Sequence, residues 1–220
     1  MNYLAHAYRY LDRPYFAAGT ALPDWMSVID RKNRARRQFA EPVADDDDPE
    51  IAAFARGVMR HHDDDRWFHS SQPFVQLSTK FAVELRERLA KGMGHQAGFV
   101  GHIAVELLLD AALIQRHPEL LREYYQTLED LDHHKLQTAA NKICRKPISQ
   151  LVVLVPRFIQ ERFLADYPND SLLLNRLNGV MRRVGLPPLP ENITPWLAEA
   201  RPQVSDAADE LLQEPTIPKS

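Results

Sequence analysis

Three ionisable residues, His102, Glu106 and Asp110, recur at every fourth position inside an otherwise apolar segment from Ala97 to Gln115. At about 100° per residue, positions i, i+4 and i+8 fall within roughly 80° of one another, on one stripe of a helix. Phe99, Val100, Ile103, Leu107, Leu108, Ala111 and Ile114 surround that stripe, so the helix is expected to be substantially buried. A buried carboxylate or imidazole must be paired, hydrogen-bonded or metal-bound, because an isolated buried charge is very costly. No Lys or Arg lies between Ala97 and Gln115 to offset both acids, whereas a metal cation would. The plainer alternative is a structural His102–Glu106 pair, with Asp110 at the helix end in water. A second segment repeats the spacing with His61, Asp65 and His69, interleaved by His62, Asp63 and Asp64. Two helices bearing His and carboxylate at this spacing suggest a metal site built between them, with donors suited to Zn, Mn or Fe. The bland reading of the second stripe is a solvated face whose i, i+4 pairs each contribute a few tenths of a kcal/mol.

The 220 residues suffice for one well-cored domain, and 45% hydrophobic with 26% charged residues is ordinary for a folded globular chain. A formal net charge of −3 supplies no global basic field, so nucleic acid is not expected as a partner. The single cysteine, Cys144, excludes an intramolecular disulfide framework and reads as a structural or incidental thiol. The opening Met1-Asn2-Tyr3-Leu4-Ala5-His6 lacks the pattern of a signal peptide. No uninterrupted apolar run approaches the ~20 residues that span a bilayer; the longest candidate is the helix of Glu106 and Asp110. The expectation is a cytoplasmic protein.

Helical periodicity dominates, and alternating strand patterns are nearly absent. A first helix is predicted over about Asn2 to Leu11, and another beginning at Pro14, which suits a first helical turn. Pro23-Asp24 is expected to open a further turn with Asp24 near a helix N-terminus. Glu41 to Glu50 reads as an exposed acidic loop, its like charges resisting compaction. Further helices are predicted from Pro49, over Phe74–Leu89, Ala97–Gln115, from Pro118, and over Asp132–Cys144, Ser149–Ala165, Asp170–Val184 and Pro195–Leu212. Leu151 to Val155 is β-branched enough for a strand, yet its continuation through Phe158, Ile159 and Phe163 favours a helix bent at Pro156. With no repeat and no interdomain linker, the reading is a single all-α domain over 1–213 and a frayed tail from Glu214.

His6 on an apolar helix and Asp24 after a proline would, taken alone, be a structural histidine and a helix cap. The basic run Arg31-Lys32-Asn33-Arg34-Ala35-Arg36-Arg37 is ordinarily a solvated face, but near a metal it can receive phosphate or an acidic partner. Neither a Gly-rich phosphate loop nor a nucleophile elbow occurs.

Taken together, Asn2-Tyr3-Leu4-Ala5-His6, Asp24, and Gly57-Val58-Met59-Arg60-His61 followed by Asp65 resemble the acyl-carrier-protein phosphodiesterase family. Its members open with Asn-x-Leu-Ala-His, then carry an Asp, then a helix with Gly-Ile-x-x-His-x-x-x-Asp. Gly101-His102 is similar to a later family segment, and Leu177 to Arg183 is faintly like a C-terminal one. His69 stands where an acidic residue is usual, and Gly101 replaces the Asp before the family His. Phe99 to Ile103 with its downstream acids is also similar, more vaguely, to helical zinc-dependent phospholipase C-like proteins.

The resemblance implies an all-α, HD-domain-like, metal-dependent phosphohydrolase that removes the phosphopantetheine arm from holo acyl carrier protein. Carried over residue by residue, it makes His6, Asp24, His61, Asp65 and His102 the holders of one or two divalent cations (Mn, Fe or Zn). His62 or His69 would then act as general acid or as a ligand, Glu106 would orient a ligand histidine, and Arg31, Arg34 or Arg36 would hold the substrate phosphate. The rival expectation is a helical interaction protein of the same fold without turnover.

Overall fold

The computed structural model describes residues 1–90 and 92–214, and every regular element among them is helical. The chain divides into two compact units. The first comprises Met1, Tyr3–Arg66 and Pro118–Arg162; the second comprises Asn2, Trp67–His117 and the chain from Phe163 onward. The tail expected from Glu214 lies, beyond that residue, outside the described residues.

In the first unit α1 covers Tyr3–Ala7, α2 Pro14–Ile29, α3 Arg37–Ala40, and α4 Pro49–Ser70, of which the part up to Arg66 belongs here. The unit is completed by α7 (Leu120–Glu129), α8 (His133–Ile143) and α9 (Leu151–Glu161), while α5 (Gln72–Arg88) and α6 (Ala97–Arg116) intervene in sequence. Its core gathers around Phe158 of α9, whose ring lies 4.9 Å from Tyr3, 5.8 Å from Trp25 and 5.8 Å from Tyr125. Such aromatic groupings add about 0.5–1.5 kcal/mol per pair beyond the area they bury.

The expected turn at Pro23 does not occur: α2 runs through it to Ile29. An interior proline costs about 3 kcal/mol, but α2 buries Phe16, Leu22, Trp25 and Met26, and each such side chain returns roughly 1.5–3 kcal/mol. Conversely, α1 stops at Ala7, short of the predicted Leu11, and the following residues form turns closed by Tyr10 N–H to Ala7 O and Arg13 N–H to Tyr10 O. The acidic loop is less free than its like charges suggest. Glu41–Val43 forms a 3₁₀ turn, Asp46 pairs with Lys142 at 2.5 Å, and Lys135 holds both Asp48 and Glu50.

The second unit contains the last turn of α4 with α5, α6, α10 (Asp170–Val184), α11 (Thr194–Asp206) and α12 (Ala208–Leu211). Its central helix is α6, apolar enough by composition alone to cross a membrane, with 67% of the apolar window buried in the protein. Against it α5 packs backbone to backbone at Gly101, where a Cβ would stand 2.9 Å from both Ser78 O and Ala82 N. Phe81 meets Trp196 edge-on at 5.3 Å, and the Trp196 indole N–H donates to Glu84 at 2.8 Å.

Candidate metal centre

The first group of metal-competent side chains is set up by two glycines. A Cβ on Gly57 of α4 would stand 2.1 Å from Phe16 O of α2, and one on Gly19 would stand 2.1 Å from Phe54 O. The helix backbones therefore touch at a point where neither carries a side chain. His61 follows Gly57 by one turn and Thr20 follows Gly19 directly, so His61 Nδ1 reaches the Thr20 carbonyl at 2.8 Å. The Gly57-to-His61 spacing thus has a mechanical cause.

His6 enters from α1 and stacks on His61, ring centroids 4.1 Å apart. Its Nδ1 lies 3.2 Å from Asp64 Oδ2, and Asp64 also takes Arg60 at 2.6 Å. Both imidazoles consequently donate through Nδ1, to a carboxylate in one case and a carbonyl in the other, which fixes the neutral ring as the Nδ1–H tautomer. That leaves each Nε2 with its lone pair directed at Asp65: His6 at 3.3 Å from Oδ1 and His61 at 3.4 Å from Oδ2. His6 Nε2 is fully buried and makes no hydrogen bond. Two nitrogen lone pairs facing a carboxylate repel unless positive charge lies among them. The Met1 amino group, 2.8 Å from Asp65 Oδ1, supplies one such charge. Burial pushes the Asp65 carboxyl up, but the Met1 ammonium is the largest of the effects that hold the acid far below the usual carboxylate range.

The donor atoms of His6, His61 and Asp65 lie within 4.8 Å of one another. Two imidazoles and one carboxylate, with a buried nitrogen left without a proton to accept, fit a divalent transition ion. Asp64 stands behind His6 as an outer carboxylate commonly does behind a ligating histidine, and Thr20 O serves His61 in the same way.

A second group forms in the second unit. His69 Nε2 lies 2.8 Å and His102 Nε2 3.1 Å from Glu106 Oε1, with the two rings 4.6 Å apart. Phe74 closes one side, 4.9 Å from His69 and 4.8 Å from His102. Burial pushes the Glu106 carboxyl up, yet hydrogen bonding from His102 and His69 helps to hold it well below the ordinary range.

The sequence-predicted residues are therefore distributed. His6, His61 and Asp65 come together; His102 is grouped with His69 and Glu106. Asp24 is outside the His6 group; it sits on α2, four residues after Thr20. His62, read as a general acid, commits Nε2 to the Ala35 carbonyl at 2.8 Å, and burial pushes its imidazole below the usual value. Arg31, Arg34 and Arg36 are exposed; from the same run it is Arg37 that reaches α4, pairing with Asp63 at 2.6 Å. Asp110 is not in water at a helix end: it is fully buried and accepts Asn2 Nδ2–H at 2.8 Å. Cys144 is buried, which pushes its thiol up to about 11, in keeping with a structural residue.

Sequence reasoning passed over Asp64, Arg60 and Thr20. The Arg60–Asp64 pair was visible as an i, i+4 spacing on the same helix; the Thr20 carbonyl leaves no trace in side-chain chemistry.

Comparisons with protein-family models, with curated proteins and with solved structures find no match to this chain.

Proposed function

We propose that this chain is a metal-dependent phosphodiesterase whose centre is His6, His61 and Asp65. The observation that carries the reading is the pair of buried imidazoles tied down through Nδ1, with both Nε2 atoms turned on one part-exposed carboxylate. A group arranged in this way is built to receive a cation rather than to share a proton. When bound, a divalent ion supplies Lewis-acid polarisation of a phosphoryl oxygen and acidification of water. In this reading His6 and His61 hold the ion through Nε2, and Asp65 contributes the negative charge. Asp64 and the Thr20 carbonyl keep the two rings in their tautomer and orientation. Asp24 is the next carboxylate along α2 able to enlarge the donor set. The exposed Arg31, Arg34 and Arg36 belong to the same unit and suit the phosphate of a larger substrate. The sequence resemblance adds the HD-domain-like class and holo acyl carrier protein as the substrate to try first.

The test is hydrolysis of bis-p-nitrophenyl phosphate by metal-loaded protein. The expected result is a rate that chelator abolishes, that Mn, Fe or Zn restores, and that His61→Ala lowers by about 100-fold, the upper end of what loss of even a ligand's support costs. Folded, metal-replete protein that turns over no phosphodiester, phosphomonoester or holo carrier protein would leave the helical interaction protein as the better account.

A further inference from the structure

We infer that His69, His102 and Glu106 form a second cation site, which takes a divalent ion of the zinc, iron(II) or manganese class independently of the phosphodiesterase reading. The donor atoms lie within 4.8 Å of one another. Two of them come from one helix at i, i+4, since His102 and Glu106 share a face of α6, and the third comes from the last turn of α4. The close approach of α5 to Gly101 fixes the start of that face, and Phe74, itself almost fully buried, braces both imidazoles.

A purely structural role explains less of this arrangement. One imidazole suffices to satisfy a carboxylate oxygen, yet two are aimed at the same Oε1 atom. Neither ring is needed to fill the core, because the side chains of His69 and His102 are 31% and 39% exposed, while Glu106 is only 12% exposed. The acid is thus sunk at the base and the imidazoles form a solvent-facing rim. Three donors on one side and water on the other leave coordination positions open, as in catalytic rather than closed structural sites. Two nitrogen donors select against magnesium and calcium, which prefer all-oxygen shells. To bind, each ring shifts its proton from Nε2 to Nδ1 and offers the Nε2 lone pair, and the carboxylate stays ionised.

The experiment is a cobalt(II) titration of the chelator-stripped full chain, read by visible absorption and by elemental analysis after desalting. Wild type is expected to bind about two equivalents. Glu106→Gln, which preserves shape, and His69→Ala, at the exposed rim, are each expected to bind about one, and His61→Ala also about one. Circular dichroism checks that each variant keeps its helix content; His69→Ala, at a half-exposed position, covers the case in which Glu106→Gln fails to fold. Unchanged stoichiometry in both Glu106→Gln and His69→Ala would overturn the site and reduce the group to a hydrogen-bonded network. The phosphodiesterase reading fails separately: if wild type takes two equivalents and turns over nothing, the second site stands and the activity does not.

Discussion

Asp65 is a part-exposed carboxylate and Asp110 a fully buried one, and their surroundings ask for opposite things. Asp65 is faced by two imidazoles and an ammonium, so its charge is the reason the group coheres. Asp110 accepts a hydrogen bond from Asn2, which also donates to the Tyr167 hydroxyl at 3.1 Å. Replacing Asp65 by Asn keeps the volume and removes the charge, and metal content in the first group should fall to near zero. Asp110→Asn should leave metal content intact and instead destabilise the fold by about 1–3 kcal/mol, since the buried hydrogen bond from Asn2 loses its charged acceptor and an NH2 group replaces the other oxygen. Elemental analysis and urea unfolding of the two variants separate these outcomes; equal metal in wild type and Asp65→Asn would remove Asp65 from the centre. The i, i+4, i+8 pattern announced both acids but could not tell them apart. Asp110 is decided by a side chain 108 positions earlier in the chain. The same limit applies to His62, whose partner is a backbone carbonyl. Spacing identifies which residues share a stripe, and only the fold decides what stands opposite.

At the scale of elements, glycines at helix crossings set where the metal-competent side chains land. Gly57→Ala would push a Cβ to within 2.1 Å of the Phe16 carbonyl, a contact that α2 can relieve only by moving as a whole. Gly101→Ala meets its nearest atoms at 2.9 Å, so a smaller shift suffices. Overpacking of this kind typically costs 1–3 kcal/mol and occasionally more, and Gly57→Ala should therefore be the worse of the two by thermal unfolding. A Gly57→Ala protein as stable as Gly101→Ala would contradict the crossing. Helix ends behave differently because they depend on local chemistry. Asp132 caps α8 by accepting the amide N–H of His134 at 2.8 Å and of Lys135 at 3.1 Å. The Lys135 amide and then that of His134 hold the Asp132 carboxyl below its ordinary value. A depressed folded-state value means that the cap contributes above the unfolded pKa, about 4, and that its contribution is lost as pH falls toward the folded one. Asp132→Asn should accordingly flatten the fall in stability below about pH 4 while changing little at neutral pH, which acid titrations of unfolding will show. A fall as steep in the variant as in wild type would mean the cap is not part of it. This contrast explains which elements were legible. The α8 and α10 boundaries carry their caps, Asp132 and Asn169, in the sequence, and the observed helices begin and end within one residue of the predicted Asp132–Cys144 and Asp170–Val184. At Pro23 the local signal pointed to a turn, and burial of the α2 face overrode it.

For the molecule as a whole, charge and metal are the terms most open to external control. The acidic segment before α4 is not a repelling loop, because Lys135 and Lys142 of α8 meet it, and nothing in the order of the residues marks these lysines as its partners. The two metal-competent groups each tie together helices distant in sequence: one joins α1 to α4 and the other α4 to α6. A ligand that binds the folded chain and not the unfolded one stabilises by about 2.7 kcal/mol when present at one hundred times its dissociation constant. For a chain of this length each kcal/mol moves the melting midpoint by roughly 2–4 °C, so one occupied centre should raise it by about 5–10 °C. The comparison is chelator-stripped protein against the same sample with zinc or manganese restored, followed by circular dichroism. His61→Ala removes a donor from the buried group, and in that variant the rise should shrink. Glu106→Gln should shrink it as well, because the carboxylate at the base of the second group is lost. If restored metal leaves the wild-type midpoint unchanged, neither group holds an ion with useful affinity, and the convergence of imidazoles on Asp65 would have to be explained by the Met1 ammonium alone.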